Sequence, residues 1–367
     1  MNWYSINNIE TLDTPALVVY PELVKENIRI LKTFVPDMNK VRPHMKTNKS
    51  AEVATMLMQE GITKFKCATI AEAEMLASVD AADVLLAYQP VGPKAIRLAE
   101  LVEKFPSTQF SCLIDNLDTA KQISATFSER KLKINVLIDL NVGMNRTGIL
   151  PGNAFDLFRE CFSLTGITFT GLHAYDGHLR DIDFEERTRK CNEGFEAVNV
   201  LREKIHMMAG KNIVVVAGGT PTFPIHAKRK GVECSPGTFI YWDKGYQSIL
   251  QEQPFLFAAL VVTRIVSKPT DEIICIDLGH KSIASENTLQ NRVTFLNAPD
   301  LQPIGHSEEH MVLKAEKGNG YQVGDVLYGV PYHVCPTVAL HDRAVVVENN
   351  KAVTYWNTLS RNRILTV

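Results

Sequence analysis

Residues 110–140 read FSCLIDNLDTAKQISATFSERKLKINVLIDL. A short apolar run, Phe110–Ile114, leads into an amphipathic stretch, Asn116–Arg130, and then into a second apolar run, Ile134–Leu140. Asn116 can accept from the free N–H groups of a helix's first turn, and Asp118 places negative charge where the helix dipole is positive. The runs are short and rich in β-branched residues, so the unit reads as strand–helix–strand. The same texture extends both ways. Val41–Met45, Phe65–Ala68, Val84–Tyr88, Phe169–Ala174, Ile213–Ala217 and Val232–Cys234 are further runs, with helical segments such as Pro93–Phe105 between them. Eight strands alternating with helices is the count of a closed (β/α)8 barrel, which takes about 250 residues. The last run is weak, so an open doubly wound sheet of seven strands is the alternative on pattern alone.

Beyond residue 250 the helical period stops. Ala258–Val266, Ile273–Leu278, Met311–Ala315, Ala344–Glu348 and Val353–Trp356 are separated by Gly, Pro, Asn and Asp clusters. Asn349-Asn350 between two of them predicts a tight hairpin. The expected organisation is a barrel over 16–250 and a mostly-β domain over 251–367. The N-terminal segment 1–15 is expected to join the β domain, with Leu12–Tyr20 as the stretch that crosses over.

Composition excludes several classes. With 39 basic and 41 acidic side chains in 367 residues, the net charge is -2 and no basic block offers a nucleic-acid footprint. No apolar run approaches the roughly 20 residues that span a bilayer. MNWYSINNIETLDTP has no basic start followed by an apolar stretch, so no secretory signal is expected. The seven cysteines form no C-x-x-C pair, as in chains kept reduced. The expected location is the cytoplasm.

In such a barrel the chemistry gathers where strands end. After the first run stand Arg42, His44 and Lys46, alternating and so facing one way in an extended chain. Mutual repulsion would favour a neutral amine on Lys46, as a Schiff-base nucleophile requires. The other reading is a solvated loop lysine. After the fifth run, Gly143 and Gly148 bracket Arg146 in a tight loop. After the sixth, His173-Ala174-Tyr175-Asp176-Gly177-His178 offers a phenol and two imidazoles. Tyr175 suits packing on a planar ring, and a histidine suits moving protons near neutral pH. Gly218-Gly219-Thr220 after the seventh run and Pro236-Gly237-Thr238 after the eighth present backbone N–H groups and hydroxyls that suit a phosphate. In the β domain, His333 and Cys335 share a face of an extended chain and can share one cation.

Read together, these motifs resemble the D-threonine aldolase and D-serine dehydratase family, pyridoxal-phosphate enzymes of the alanine racemase-like fold. The resemblance starts at Asp13-Thr14-Pro15-Ala16-Leu17. It continues through RPHMKTNK, GMNRTG, LHAYDGH, GGTPT, SPGTFIYWD, DLGHKS and SEEH to HVCPTVALHD. It implies pyridoxal 5'-phosphate carried on Lys46 beside His44, with its ring fixed by Arg146 and Tyr175. Gly218, Gly219, Thr220, Gly237 and Thr238 would hold its phosphate. It implies a divalent metal (Zn2+, Mn2+ or Mg2+) on His333 and Cys335, with His178 taking the proton of a β-hydroxyl. The implied reaction is aldol cleavage of a D-3-hydroxy amino acid to glycine and an aldehyde. Dehydration of such an amino acid is the alternative, and racemisation or a non-catalytic cofactor carrier comes further behind. The expected partners are a small D-amino acid and a second copy, in a homodimer where the metal pair completes the neighbour's site. Two departures stand out. Asn48 replaces a histidine of the usual motif, and no basic residue precedes Pro236-Gly237.

Overall fold

The computed structural model describes residues 2–210 and 212–367, which form two compact units. One comprises Leu31–Lys46, Ala54–Gly237 and Asn362–Val367; the other comprises Met1–Ile30, Thr47–Val53 and Thr238–Arg361. The first strand, β1 (Ala16–Val19), belongs to the second unit. The first unit holds β2 (Lys64–Cys67), β3 (Asp83–Leu86), β4 (Gln109–Ile114), β5 (Ile134–Leu140), β6 (Ile167–Ala174), β7 (Val214–Ala217) and β8 (Val232–Cys234). These seven pair in parallel in that order. Val41 bridges Cys234 and His44 bridges Lys66, also in parallel, so residues 41–44 close the ring. Pro43 has no N–H to give to a ladder, so the closing segment bridges its neighbours without forming a regular strand. The open sheet is thereby set aside in favour of the barrel.

The barrel is filled from several strands at once. Leu85, Leu113, Leu137 and Val216, on β3, β4, β5 and β7, form one apolar cluster. The helix Leu117–Glu129 shows why the outer layer follows from sequence. Asn116 accepts from the N–H of Thr119 at 2.9 Å, and Ala120, Ile123, Ser124 and Phe127 turn inward at helical spacing. Burying Ile123 and Phe127 stabilises by about 1.5–3 kcal/mol each.

The second unit is built on a mostly antiparallel sheet. Its later strands are β9 (Ala259–Thr270), β10 (Ile273–Ile276), β11 (Val293–Phe295), β12 (Gln302–His306), β13 (Met311–Lys314), β14 (Val326–Pro331), β15 (Arg343–Glu348) and β16 (Lys351–Asn357). The order is β12-β13-β10-β9-β1-β15-β16, and β14 pairs with β9 and β11. Asn349 and Asn350 adopt φ of 49° and 58°, the left-handed pair that a two-residue hairpin needs.

The boundaries differ from the expected 16–250 and 251–367. β1 pairs antiparallel with β9 and parallel with β15, which ties the chain up to Ile30 into the β unit. Residues 238–250 belong there too, whereas the C-terminal residues 362–367 join the barrel unit. There Arg97 donates to the Val367 carbonyl, and Glu74 accepts from the Thr366 and Val367 N–H groups. The β unit also contains a helix, Val334–Leu340, where only strands were expected. Among the described residues no helix is long and apolar enough to cross a membrane.

Candidate active site

Three basic side chains gather on one aromatic ring in the barrel unit. Lys46 Nζ lies 6.0 Å, Lys66 Nζ 5.5 Å and the Arg146 guanidinium carbon 5.1 Å from the centroid of Tyr175. Two glycines make room for that ring. A Cβ at Gly177 would collide with the Tyr175 hydroxyl, and one at Gly219 would come within 2.9 Å of Cε2. His44 Nδ1 accepts from the Lys46 backbone N–H at 3.3 Å. Lys46, Arg146 and Tyr175, singled out in the sequence, thus come together.

Arg42 is committed elsewhere. Its guanidinium forks onto Asp83 at 2.7 and 2.9 Å, and its Nε meets Glu233 at 2.8 Å. The picture of three uncompensated cations alternating on one face therefore does not hold. Lys66, not singled out in the sequence, is the amine pushed down to about 7. Burial is the main cause and the charge of Lys46 adds to it, with Asp139 opposing. Its Nζ lies 3.3 Å from His173 Nε2, and His173 Nδ1 lies 2.7 Å from Asp139 Oδ1. Burial and then Lys66 push His173 down; His173 and Thr147 hold Asp139 below the usual carboxylate range despite its burial.

His178 is exposed, with its imidazole packed against Gly143 in the loop that also carries Arg146. In the loop after β7, Gly218 adopts φ +74, a conformation that favours glycine. The Thr222 hydroxyl donates to Asp176 at 2.6 Å and accepts from the Gly219 N–H at 3.4 Å. Thr220 Oγ1 accepts from the Gly237 N–H at 3.2 Å, so the loops after β7 and β8 are linked. Beside them the Ser235 hydroxyl is buried without a hydrogen-bond partner.

Asp176, Cys191 and His226 lie close enough to share a cation, a cluster the sequence reading did not assemble. Their protons argue for another role. Arg229 Nε donates to His226 Nδ1 at 3.2 Å, and arginine cannot accept, so His226 carries its proton on Nε2, 2.9 Å from Asp176. Burial and Asp176 push the Cys191 thiol up to about 12. The trio is a hydrogen-bonded brace that joins the end of β6, the helix Phe184–Ala209 and the short helix Phe223–His226 after β7.

The second unit holds the other expected pair. His333 is not in an extended strand; it precedes the helix Val334–Leu340, whose first turn contains Cys335. The side chains still meet. Burial alone would lower the His333 pKa, but hydrogen bonds to Cys335 and Glu286 and the charge of Asp243 carry it up to about 9. Glu286 lies 2.5 Å from His333 Nδ1, and Asp243 accepts the Val334 N–H at 3.1 Å. Cys335 Sγ lies 3.2 Å from Thr47 Oγ1 and 3.7 Å from Thr238 Oγ1. Thr47 is peptide-bonded to Lys46, so Cys335 touches the lysine's own chain neighbour. Glu286 and Asp243 lie far away in sequence and carried no local signal.

A barrel with amines, a guanidinium and a phenol at its strand ends, together with a β unit, is an enzyme of the alanine racemase-like fold. Residues 20–244 match the alanine racemase N-terminal domain, and the chain belongs to that family. Residues 258–347 match the putative serine dehydratase domain. The chain is 27% identical to a D-threonine aldolase of Arthrobacter sp, over 95% of this chain and 93% of that protein. It is 23% identical to a D-threo-3-hydroxyaspartate dehydratase of Delftia sp. strain HT23, over 95% and 98%. The solved D-threonine aldolase from Filomicrobium marinum superposes with a TM-score of 0.88 at 24% identity, covering 96% of both chains. The lyase class expected from the motifs is the class of these relatives.

Proposed function

We propose that this chain is a pyridoxal-phosphate- and divalent-metal-dependent aldolase that cleaves D-3-hydroxy amino acids to glycine and an aldehyde. The observation that carries the reading is the convergence of Lys46 and Arg146 on Tyr175, with Gly219 against the same ring. The residues suit the cofactor. Ser235 keeps an unpartnered buried hydroxyl beside the linked glycine loops, a donor that a phosphate or ring heteroatom would take up. Lys46 holds the cofactor and His44 orients the lysine's backbone. Arg146 and Tyr175 fix the ring, while Gly218, Gly219, Thr220, Gly237 and Thr238 face its phosphate. Bound there, pyridoxal phosphate supplies the electron sink for the pair left on Cα.

His333 and Cys335 hold the metal. An imidazole and a thiolate suit Zn2+ over harder cations, and a bound cation makes a β-hydroxyl more acidic. His178 accepts the proton of that hydroxyl. The contact of Cys335 with Thr47, within the β unit, supports metal ligands from the lysine's own chain over ligands from a neighbour. A homodimer remains part of the proposal without shared ligands.

The second reading, dehydration of the same substrates, is favoured by the putative serine dehydratase match and by Cys335 as a soft ligand. A metal pair in the β unit argues against simple racemisation. The sheet of that unit argues against a bare cofactor carrier. Incubation with D-threonine tests the choice. Glycine and acetaldehyde in equal amounts support the aldolase, whereas 2-oxobutanoate and ammonia establish the dehydratase.

A further inference from the structure

The barrel interior contains a titratable line to which the proposed function gives no task. Lys66, only 2% exposed, reaches from β2 to His173 on β6. β2 and β6 are not neighbours in the sheet, so this contact crosses the interior of the barrel. Packing alone does not account for an amine there, because burial strips its hydration while an apolar side chain of similar length avoids that cost. His173 donates from Nδ1 to Asp139, which leaves Nε2 to accept from Lys66. Among the described residues no carboxylate bonds Lys66 directly; Asp139 acts on it through space and is bonded to it only through the imidazole. The other charged groups around it are Lys46 and Arg42 from the closing segment and its turn, and Asp176 beyond β6. Arg146 shares the Tyr175 ring with it, Arg42 is neutralised by Asp83 and Glu233, and Asp176 is occupied by His226 and Thr222.

We propose that Lys66 is a positioning residue of the cofactor pocket, whose protonation, relayed through His173 and Asp139, governs how tightly an anionic cofactor is held. This rests on the reading that pyridoxal phosphate occupies the site of Lys46. Lys66 is charged below a midpoint of about 7 and neutral above it. The ammonium attracts the phosphate-bearing cofactor, and by linkage the bound anion draws the midpoint of Lys66 upward. Cofactor affinity therefore falls as pH rises through that midpoint.

The test uses the full chain with 13C-labelled lysine, and the Lys66 signal is assigned by its loss in Lys66→Met. In the cofactor-free protein the signal should titrate near neutrality, and added pyridoxal phosphate should move the midpoint up by about one unit. The dissociation constant, read from visible absorbance, should weaken about tenfold between pH 6 and 8.5, since one pKa unit corresponds to tenfold. Lys66→Met should flatten this dependence at the weak level, and Lys66→Arg should flatten it at the tight level. A free-chain midpoint near 10 overturns the inference, as does a midpoint that stays put while pyridoxal phosphate binds. If Lys66→Met does not fold, Lys66→Arg carries the same decision: a retained tenfold dependence overturns the proposal. Wild-type protein that binds no pyridoxal phosphate, with Lys66 titrating near neutrality, overturns the functional reading and the coupling built on it. It leaves the perturbed lysine standing.

Discussion

The molecule contains two carboxylate–imidazole pairs with opposite outcomes. Asp139 and His173 lie 2.7 Å apart inside the barrel, with side chains 8% and 6% exposed; Glu286 and His333 lie 2.5 Å apart in the β unit, about half exposed. His173 is pushed down, by burial and then by Lys66. His333 is carried up to about 9, because Cys335, Glu286 and Asp243 outweigh its burial. Burial with an amine beyond the ring sets the first outcome, and partners that overcome burial set the second. An amine leaves His173 a neutral proton relay. A thiol and two carboxylates make the surroundings of His333 attractive to positive charge, and a divalent cation can replace that proton.

The variants that sharpen this contrast differ in size of effect. Lys46→Ala should abolish both turnover and the visible absorbance of added pyridoxal phosphate, because no other residue in the proposal holds the cofactor. Activity at wild-type level would end the barrel half of the comparison. His333→Ala and Cys335→Ala should each reduce turnover about a hundredfold or more while cofactor absorbance persists, and a chelator should do the same to the wild type. Mixing Lys46→Ala with His333→Ala after subunit exchange should restore no activity, because Cys335 lies against the residue after Lys46 in the same chain. Recovery would mean that the ligands come from the partner.

Asp176→Asn weakens the brace between Tyr175 and the glycine loop. The Asp176 carboxyl is held below its ordinary range because bonds to His226 and Thr222 outweigh burial. Its contribution is therefore present above the unfolded-state pKa and lost as pH falls through the folded one. Thermal unfolding should show a loss of about 1–3 kcal/mol at pH 7, shrinking towards pH 3, with cofactor affinity reduced at neutral pH. The smallest effect belongs to Asn116→Ala, which removes one helix cap far from the chemistry. It should cost about 1 kcal/mol in denaturant titration and leave the absorbance and rate unchanged.

Local chemistry was legible where neighbours in sequence become neighbours in space. The cap at Asn116 and the hairpin at Asn349-Asn350 depend on a few consecutive residues. So do the strand-end motifs around Lys46, Arg146 and Tyr175, each set in the few residues that follow a barrel run. Contacts across the barrel were not legible. Lys66 alternates with Phe65 and Cys67 in a short strand, and nothing local says that His173 waits opposite it. The seating of His333 is not legible for a related reason. The run HVCPTVALHD lies among strands, but it folds into a helix that begins just after His333. The unit boundary moved because the pairing partners of β1 lie more than two hundred residues downstream.

In the proposed function one amine of the barrel unit, Lys46, carries the cofactor. Borohydride reduction of the pyridoxal-phosphate-loaded protein, followed by digestion and mass spectrometry, tests it most directly. A single stoichiometric pyridoxyl label is expected on Lys46, retained in Lys66→Arg and absent from Lys46→Ala. A label on Lys66, or on any lysine outside the barrel unit, would contradict it.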